Sequence, residues 1–303
     1  MSNKVLVSVV MITYGHEKFI RQAVEGVLMQ KCDFGVELLV VNDCSPDSTN
    51  EVVKEILENH PKSKWIKYIR HDKNIGMMPN FIFALQQAKG EYIALCEGDD
   101  YWTDPYKLQK QVDFLEANPD YVLSFHKVKI LKPSGELVQD FITKVPENYE
   151  TQETLARLGN YIHTPSVVFR NCIKEFPIEF SMSPVGDYFL YMMLTQHGKL
   201  KYIEEEMAVY RYGVGIHSSK TNLNMTKTVF KFYSLLLSYS NNPKINQILL
   251  ERHTKNFENL ESIIRNEYSE SFVSNHVFFK AIKSLKSPNK FWKKLKQKIN
   301  IFK

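Results

Sequence analysis

A short apolar stretch, Tyr92-Ile93-Ala94-Leu95-Cys96, runs directly into Glu97-Gly98-Asp99-Asp100. Three carboxylates around one glycine repel one another unless a cation lies among them. On a buried strand of an α/β protein they would reach the carboxyl edge of the sheet, where open α/β sheets bind ligands. The cluster therefore reads as a divalent-metal site able to clamp a diphosphate. The same Asp-Asp pair before a helix also has the form of a turn and N-cap. Two further acids sit at element junctions. Asp43 follows an apolar run and has the form of an Asx turn, and Asp187 precedes an apolar helix as a cap would. Asp47 and Asp100 read as mainly structural.

The elements that would carry these acids follow from pattern. Val5 to Ile12 is a β-branched run, and Thr13-Tyr14-Gly15 turns it into a helix over about Glu17 to Gln30. Val36 to Val41 is a second buried strand, followed by turn and cap residues and a helix from Asn50 to Asn59. Trp65 to Ile69 is a third strand, with a helix near Pro79 to Ala88, and then comes the acidic strand. This alternation predicts a mostly parallel, doubly wound α/β sheet with one busy edge. Beyond it, Leu108 to Ala117 is helical, and Tyr121 to Leu131 with Leu137 to Thr143 forms a hairpin about Pro133-Ser134-Gly135. Thr164 to Arg170, Lys199 to Ile203 and Met207 to Arg211 are strands. After about residue 220 the pattern is helical only, so a domain of residues 1–220 with a helical region of residues 221–303 is expected.

Composition places the chain among ordinary globular proteins: 303 residues, 44% hydrophobic and 24% charged. The four cysteines are scattered without a CxxC pair, which argues against structural zinc and a disulfide framework and suits a reducing cytosol. The apolar start is too short for a signal core and has no small-residue cleavage site. No apolar run approaches the ~18 residues of a spanning helix. A Walker-type loop, GxGxxG, HExxH and GxSxG are absent, which removes the usual NTPase, dehydrogenase, zincin and hydrolase readings.

Several motifs occur in order: Val9-Val10-Met11-Ile12-Thr13-Tyr14, Val40-Val41-Asn42-Asp43-Cys44-Ser45-Pro46-Asp47, Asn74-Ile75-Gly76, Glu97-Gly98-Asp99-Asp100-Tyr101-Trp102, Gly186-Asp187-Tyr188 and Tyr210-Arg211. Over roughly residues 5 to 220 the chain resembles the family-2 glycosyltransferases of the GT-A fold, metal-dependent inverting enzymes with nucleotide-sugar donors. The resemblance implies that Thr13 and Tyr14 line the base pocket, that Asp43 accepts the uracil ring N–H, and that Asn74 and Gly76 lie near the nucleotide. It implies that Glu97 and Asp99 fill the acidic positions of the DXD-type motif, with Asp99 on the metal, and that Asp187 is the general base. Gly15 stands where the family often has Asn, and Asn42 and Glu97 replace aspartates. Gly213 stands where a metal-binding histidine is often found; His217, four positions later, is the candidate replacement.

Mg²⁺ or Mn²⁺ would suit oxygen ligands, and Mn²⁺ also accepts an imidazole. Arg211 could pair a donor phosphate bidentately, or form a surface ion pair. A carboxylate facing a pyrimidine N–H favours uracil over cytosine, which lacks that donor, and so supports a UDP-sugar, although other bases also present ring N–H groups. Tyr14 could stack on a base, and Tyr101 and Trp102 could offer a sugar platform or serve as core. The resemblance points to transfer onto a glycan or lipid-linked acceptor in cell-surface polysaccharide synthesis. Two other readings stand beside it. A sugar nucleotidyltransferase would need a Gly-rich basic loop after the first strand, where Thr13-Tyr14-Gly15-His16 has a single glycine. A non-catalytic membrane adaptor of the same fold would not need both Asp99 and Asp187.

The charge is uneven. The chain carries +5, and nine lysines with no acid lie between Lys280 and Lys303, which leaves −4 for the remainder. Trp292, Leu295, Ile299 and Phe302 recur at helical spacing among those lysines. An amphipathic basic helix of this kind suits an anionic membrane surface, so a cytoplasmic protein held peripherally at the inner face of the membrane is expected, with a partner-binding helix and a solvated tail as the other readings. Arginine and base-stacking aromatics are scarce there, which disfavours nucleic acid.

Overall fold

In the computed structural model, residues 5–214 and 222–267 are described. Val5–Thr13 (β1) is rich in β-branched residues and buried on both faces. Val7, Val9 and Met11 pack with Val24 and Val27 of the helix Ile20–Leu28 and with Leu108 and Val112 of the helix Lys107–Ala117. Val10 points the other way, into a core shared with Phe81 of the helix Met77–Gln87 and Phe189 of the helix Gly186–Leu194. This two-sided burial is what near-continuous apolar strands require, and each large side chain so removed from water contributes about 1.5–3 kcal/mol.

Gly35–Asn42 (β2), Ile66–Arg70 (β3) and Tyr92–Leu95 (β4) complete a parallel set ordered β3-β2-β1-β4. The remaining strands are Tyr101–Trp102 (β5), Tyr121–Leu131 (β6), Leu137–Gln139 (β7), Val168–Arg170 (β8) and Lys199–Arg211 (β9). They extend the sheet as β8-β6-β9-β5, with β7 paired to β6. β8 runs antiparallel to both β4 and β6, β6 and β9 are parallel, and β5 is antiparallel to β9. The parallel half is the doubly wound part; the other half is mixed.

Four local expectations are corrected. β7 stops at Gln139 rather than Thr143, because the Asp140 carboxylate accepts the N–H groups of Ile142 at 2.8 Å and Thr143 at 3.1 Å and bends the chain. Lys199 to Arg211 is one strand with register irregularities opposite Lys127, not two. Glu206 stays on it because Lys127 and Lys129 hold its carboxylate at 3.2 and 3.3 Å. Thr164–Ser166 is a 3₁₀ turn that precedes a shorter β8. The helix Gln152–Leu158 has no counterpart in the expectations; Thr151 caps it by accepting the Thr154 N–H at 3.2 Å.

Helices Asn222–Tyr239 and Pro243–Glu267 lie beyond β9. Phe232, Leu236 and Leu249 enter the same core as Phe189, and Tyr188 stacks on Phe232 with centroids 4.8 Å apart. No helix among the described residues is long and apolar enough to cross a membrane. The basic tail, residues 280–303, lies outside the described residues.

Candidate active site

Beyond β4 the chain keeps tracking β1. The Cys96 N–H donates to Val10 O at 3.1 Å and the Gly98 N–H to Ile12 O at 3.0 Å, so the acidic loop emerges where the parallel strands end. Glu97, Asp99 and Asp100 each place a carboxylate oxygen within 4.8 Å of the others. Gly98 lets the loop lie this close: a Cβ there would fall 2.7 Å from Thr13 Oγ1 and 2.9 Å from His16 Nδ1. Thr13 is almost fully buried, with its hydroxyl lacking a hydrogen-bond partner. It thus supports the acidic loop from beneath, whereas Tyr14, the next residue, is 46% exposed.

Burial, then Asp99 and then Asp187, pushes the Glu97 carboxyl up to about 8. Burial and Asp99 likewise hold Asp100 well above the usual carboxylate range. Asp100 Oδ1 accepts the Arg211 N–H at 2.8 Å, but its Oδ2 is buried with no partner. A buried carboxylate oxygen without a donor, inside a triad of acids, is what a cation would satisfy. An all-oxygen set of this kind fits Mg²⁺ or Mn²⁺. Asp100 therefore belongs to the acidic cluster as well as to the scaffold.

His16 joins the cluster although no motif marks it. Its Nε2 lies 4.0 Å from Asp99 Oδ2, and burial lowers its pKa against the opposing pull of Asp99. His217 lies outside the described residues.

Arg211 departs from the expectation of a phosphate partner. Its guanidinium donates to the Asp99 carbonyl and to Gln22, and lies 4.9 Å from the Phe19 ring and 4.6 Å from the Tyr101 ring. These contacts commit it to holding the loop rather than reaching outward. Trp102 is likewise no platform: it is 2% exposed and donates Nε1–H to Pro165 O at 2.8 Å.

Asp43 is buried at the end of β2. Its oxygens accept the N–H groups of Ile75 at 2.7 Å and Gly76 at 2.9 Å. Gly76 has φ +93°, a conformation L-residues rarely adopt, which lets the 74–76 loop present both donors to one carboxylate. Asn74 is exposed on that loop. Asn42 serves the turn itself, with Oδ1 accepting from the Ser45 N–H at 2.8 Å and hydroxyl at 2.7 Å.

Asp187 stands in the first turn of its helix, and a Cβ on the preceding Gly186 would meet Met78 Sδ at 2.9 Å. That close approach seats the helix start on Met77–Gln87. Asn160 Nδ2 donates to Asp187 Oδ2 at 2.9 Å, and Thr164 Oγ1 lies 3.5 Å from the same oxygen. Asp187 and Glu97 line one cleft of about 310 Å³, together with His163, Tyr210, Met77 and Ile142. His163 Nε2 pairs with Asp140 Oδ2 at 2.9 Å. Neither Asn160 nor His163 lies in a motif, and only tertiary proximity reveals them.

Residues 8–176 match the model of glycosyl transferase family 2. An uncharacterized protein of Mycobacterium tuberculosis is 37% identical over 218 residues, covering 71% of this chain and 62% of that protein. An uncharacterized glycosyltransferase of Methanocaldococcus jannaschii is 28% identical, covering 69% of this chain and 71% of its own. Among solved structures, Staphylococcus aureus TarS residues 1–349 with UDP-GlcNAc aligns with a TM-score of 0.61 at 17% identity, covering 88% of this chain and 76% of its own. The mannosyltransferase PcManGT of Pyrobaculum calidifontis, in complex with GDP-Man and Mn²⁺, aligns with a TM-score of 0.61 at 16% identity, covering 96% and 84%. The fold is GT-A, and the chain belongs to glycosyl transferase family 2. It spans about 62% of the length of the mycobacterial relative.

Proposed function

We propose that this chain is a metal-dependent, inverting glycosyltransferase that moves a sugar from a nucleotide-sugar donor, UDP-linked in preference, to a glycan or lipid-linked acceptor of the cell surface. One observation carries the reading: Glu97, whose carboxylate lies within 4.8 Å of those of Asp99 and Asp100, lines the same cleft as Asp187. UDP-GlcNAc and GDP-Man in structures of the same fold support the donor class, and Mn²⁺ in one of them supports the cation.

Asp99, with Glu97 and Asp100 beside it, would hold Mg²⁺ or Mn²⁺, whose charge neutralises the departing diphosphate. Tyr14, which follows β1 and is exposed, would stack on the base. Asp43 acts through the 75–76 amides it holds, and through any lone pair it keeps for the base. Asp187 takes the proton of the acceptor hydroxyl as that oxygen attacks the anomeric carbon. The new C–O bond forms on the face opposite the leaving group, the bond from C1 to the phosphate oxygen breaks, and the nucleoside diphosphate leaves with the electron pair. Configuration inverts. The lysine-rich tail would bring the enzyme to an anionic membrane surface and a lipid-linked acceptor.

The test is a screen of UDP- and GDP-sugars for release of the nucleoside diphosphate, with Mn²⁺ and with a chelator. Release should occur with Mn²⁺ and stop with chelator and in Asp99→Ala, while Asp99→Ala keeps its secondary structure. Asp187→Asn should lose about 10²–10⁴-fold in transfer rate. Full transfer by Asp99→Ala would end this reading.

A further inference from the structure

We infer that Asn160 is the positioning residue for Asp187, and that the C-terminal helix Pro243–Glu267 sets it there through Arg252. The inference rests on the reading of Asp187 as the base. Asn160 Oδ1 accepts the Ile162 N–H at 3.1 Å, which fixes the carboxamide so that Nδ2 faces Asp187 Oδ2 at 2.9 Å. A carboxamide pinned at both ends restricts the carboxylate to one orientation.

What places Asn160 is the end of the helix Gln152–Leu158. That helix closes at Gly159, whose φ is +94°. Arg252 donates from its guanidinium to the Arg157 carbonyl, one of the carbonyls a helix end leaves without an internal partner. A Cβ on Gly159 would come 3.1 Å from Arg252 Nη2, so the arginine lies flat against the turn that delivers Asn160. Arg252 is itself stacked on Tyr233 of the preceding helix at 5.3 Å. Lys244 pairs with Glu153 at 2.6 Å, a second tie between the C-terminal helix and Gln152–Leu158. The Tyr188 hydroxyl, one residue from Asp187, donates to Leu155 O at 2.8 Å. The C-terminal helices thereby become part of the catalytic scaffold: they hold a turn, the turn holds an amide, and the amide holds the acid.

The experiment uses the full chain with ¹³C-carboxyl-labelled aspartate, the Asp187 signal being identified by Asp187→Asn. Glu97, Tyr191 and Tyr210 face Asp187 and stay unchanged throughout. Loss of a donor to the charged form raises a carboxyl's titration midpoint, so Asn160→Ala should move Asp187 upward. Arg252→Ala should move it the same way by less, and should add nothing in the Asn160→Ala background. Arg252→Lys, which keeps a cation at the turn, should fall between Arg252→Ala and the parent. With UDP-GlcNAc as the turnover probe, Asn160→Ala should lower kcat about tenfold and leave KM in place. An unmoved Asp187 midpoint in Asn160→Ala overturns the inference, as does an Arg252→Ala shift that persists undiminished without Asn160. If the midpoints move as stated but Asp187→Asn turns over normally, the positioning stands and the base assignment falls.

Discussion

Asp100 accepts the backbone N–H of Arg211 at 2.8 Å, while the Arg211 guanidinium donates back to the carbonyl of Asp99. This reciprocal pair bolts the acidic loop to the end of β9. Three carboxyl groups crowded this closely need the backbone beneath them fixed, and Arg211 supplies that fixation from inside the protein.

Arg211→Lys should therefore act on the fold as well as on turnover. A lysine has one ammonium where the guanidinium now serves Asp99, Gln22 and two ring faces. The expected loss is about 2–3 kcal/mol in urea unfolding, accompanied by slower transfer. A variant of parental stability whose only defect is a raised KM for the donor would return Arg211 to the role of a phosphate partner.

The acids also predict how stability responds to pH. The Glu97 carboxyl is raised from 4.5 to about 8 in the folded state, and Asp100 moves in the same direction. The folded protein then holds protons that the unfolded chain releases. In the presence of chelator, the stability that these two acids contribute should fall as pH rises from about 4.5 toward 8. It is opposed by His16, His126 and His253, whose pKa values burial lowers and which therefore favour the fold as pH rises through about 6.5. Glu97→Gln should flatten the decline due to the acids. Added Mn²⁺ should raise the melting temperature more at pH 8 than at pH 6, because metal and proton compete for the same oxygens. Melting curves of the parent and Glu97→Gln across pH 5–8, with Mn²⁺ and with chelator, check both; a metal-free parent Tm that climbs relative to Glu97→Gln toward pH 8 would contradict them.

The lysine-rich end makes a separate prediction. Deletion of residues 280–303 removes nine positive charges. The full chain should sediment with vesicles containing anionic lipid and release as salt rises, and the truncated chain should stay in the supernatant. Equal sedimentation of the two would remove the tail from any membrane role.

Much of this architecture is legible in the order of residues. β1, β2 and β4 are apolar runs ending in polar turn residues, and burial on both faces leaves such runs few alternatives to parallel strands between helices. Because strand ends of one polarity gather at one edge, Thr13, Asp43 and Glu97 to Asp100 could be assigned to a common rim from sequence. Local chemistry such as the Asx turn at Asn42 is equally visible, since its partners lie within three residues.

The direction in which each side chain faces is another matter. Arg211 and Asp99 are 112 residues apart, Asn160 and Asp187 are 27 apart, and no periodicity records either meeting. Arg211 turns inward because β9 ends beside β5 and places Phe19 and Tyr101 around the guanidinium; Trp102 turns inward because Pro165 offers its indole a carbonyl. Sequence determined which acids reach the rim, since that is a matter of strand length and turn chemistry. Only the tertiary structure decided which groups hold them there, since a hydrogen bond between distant segments exists only once the sheet and its helices have closed around it.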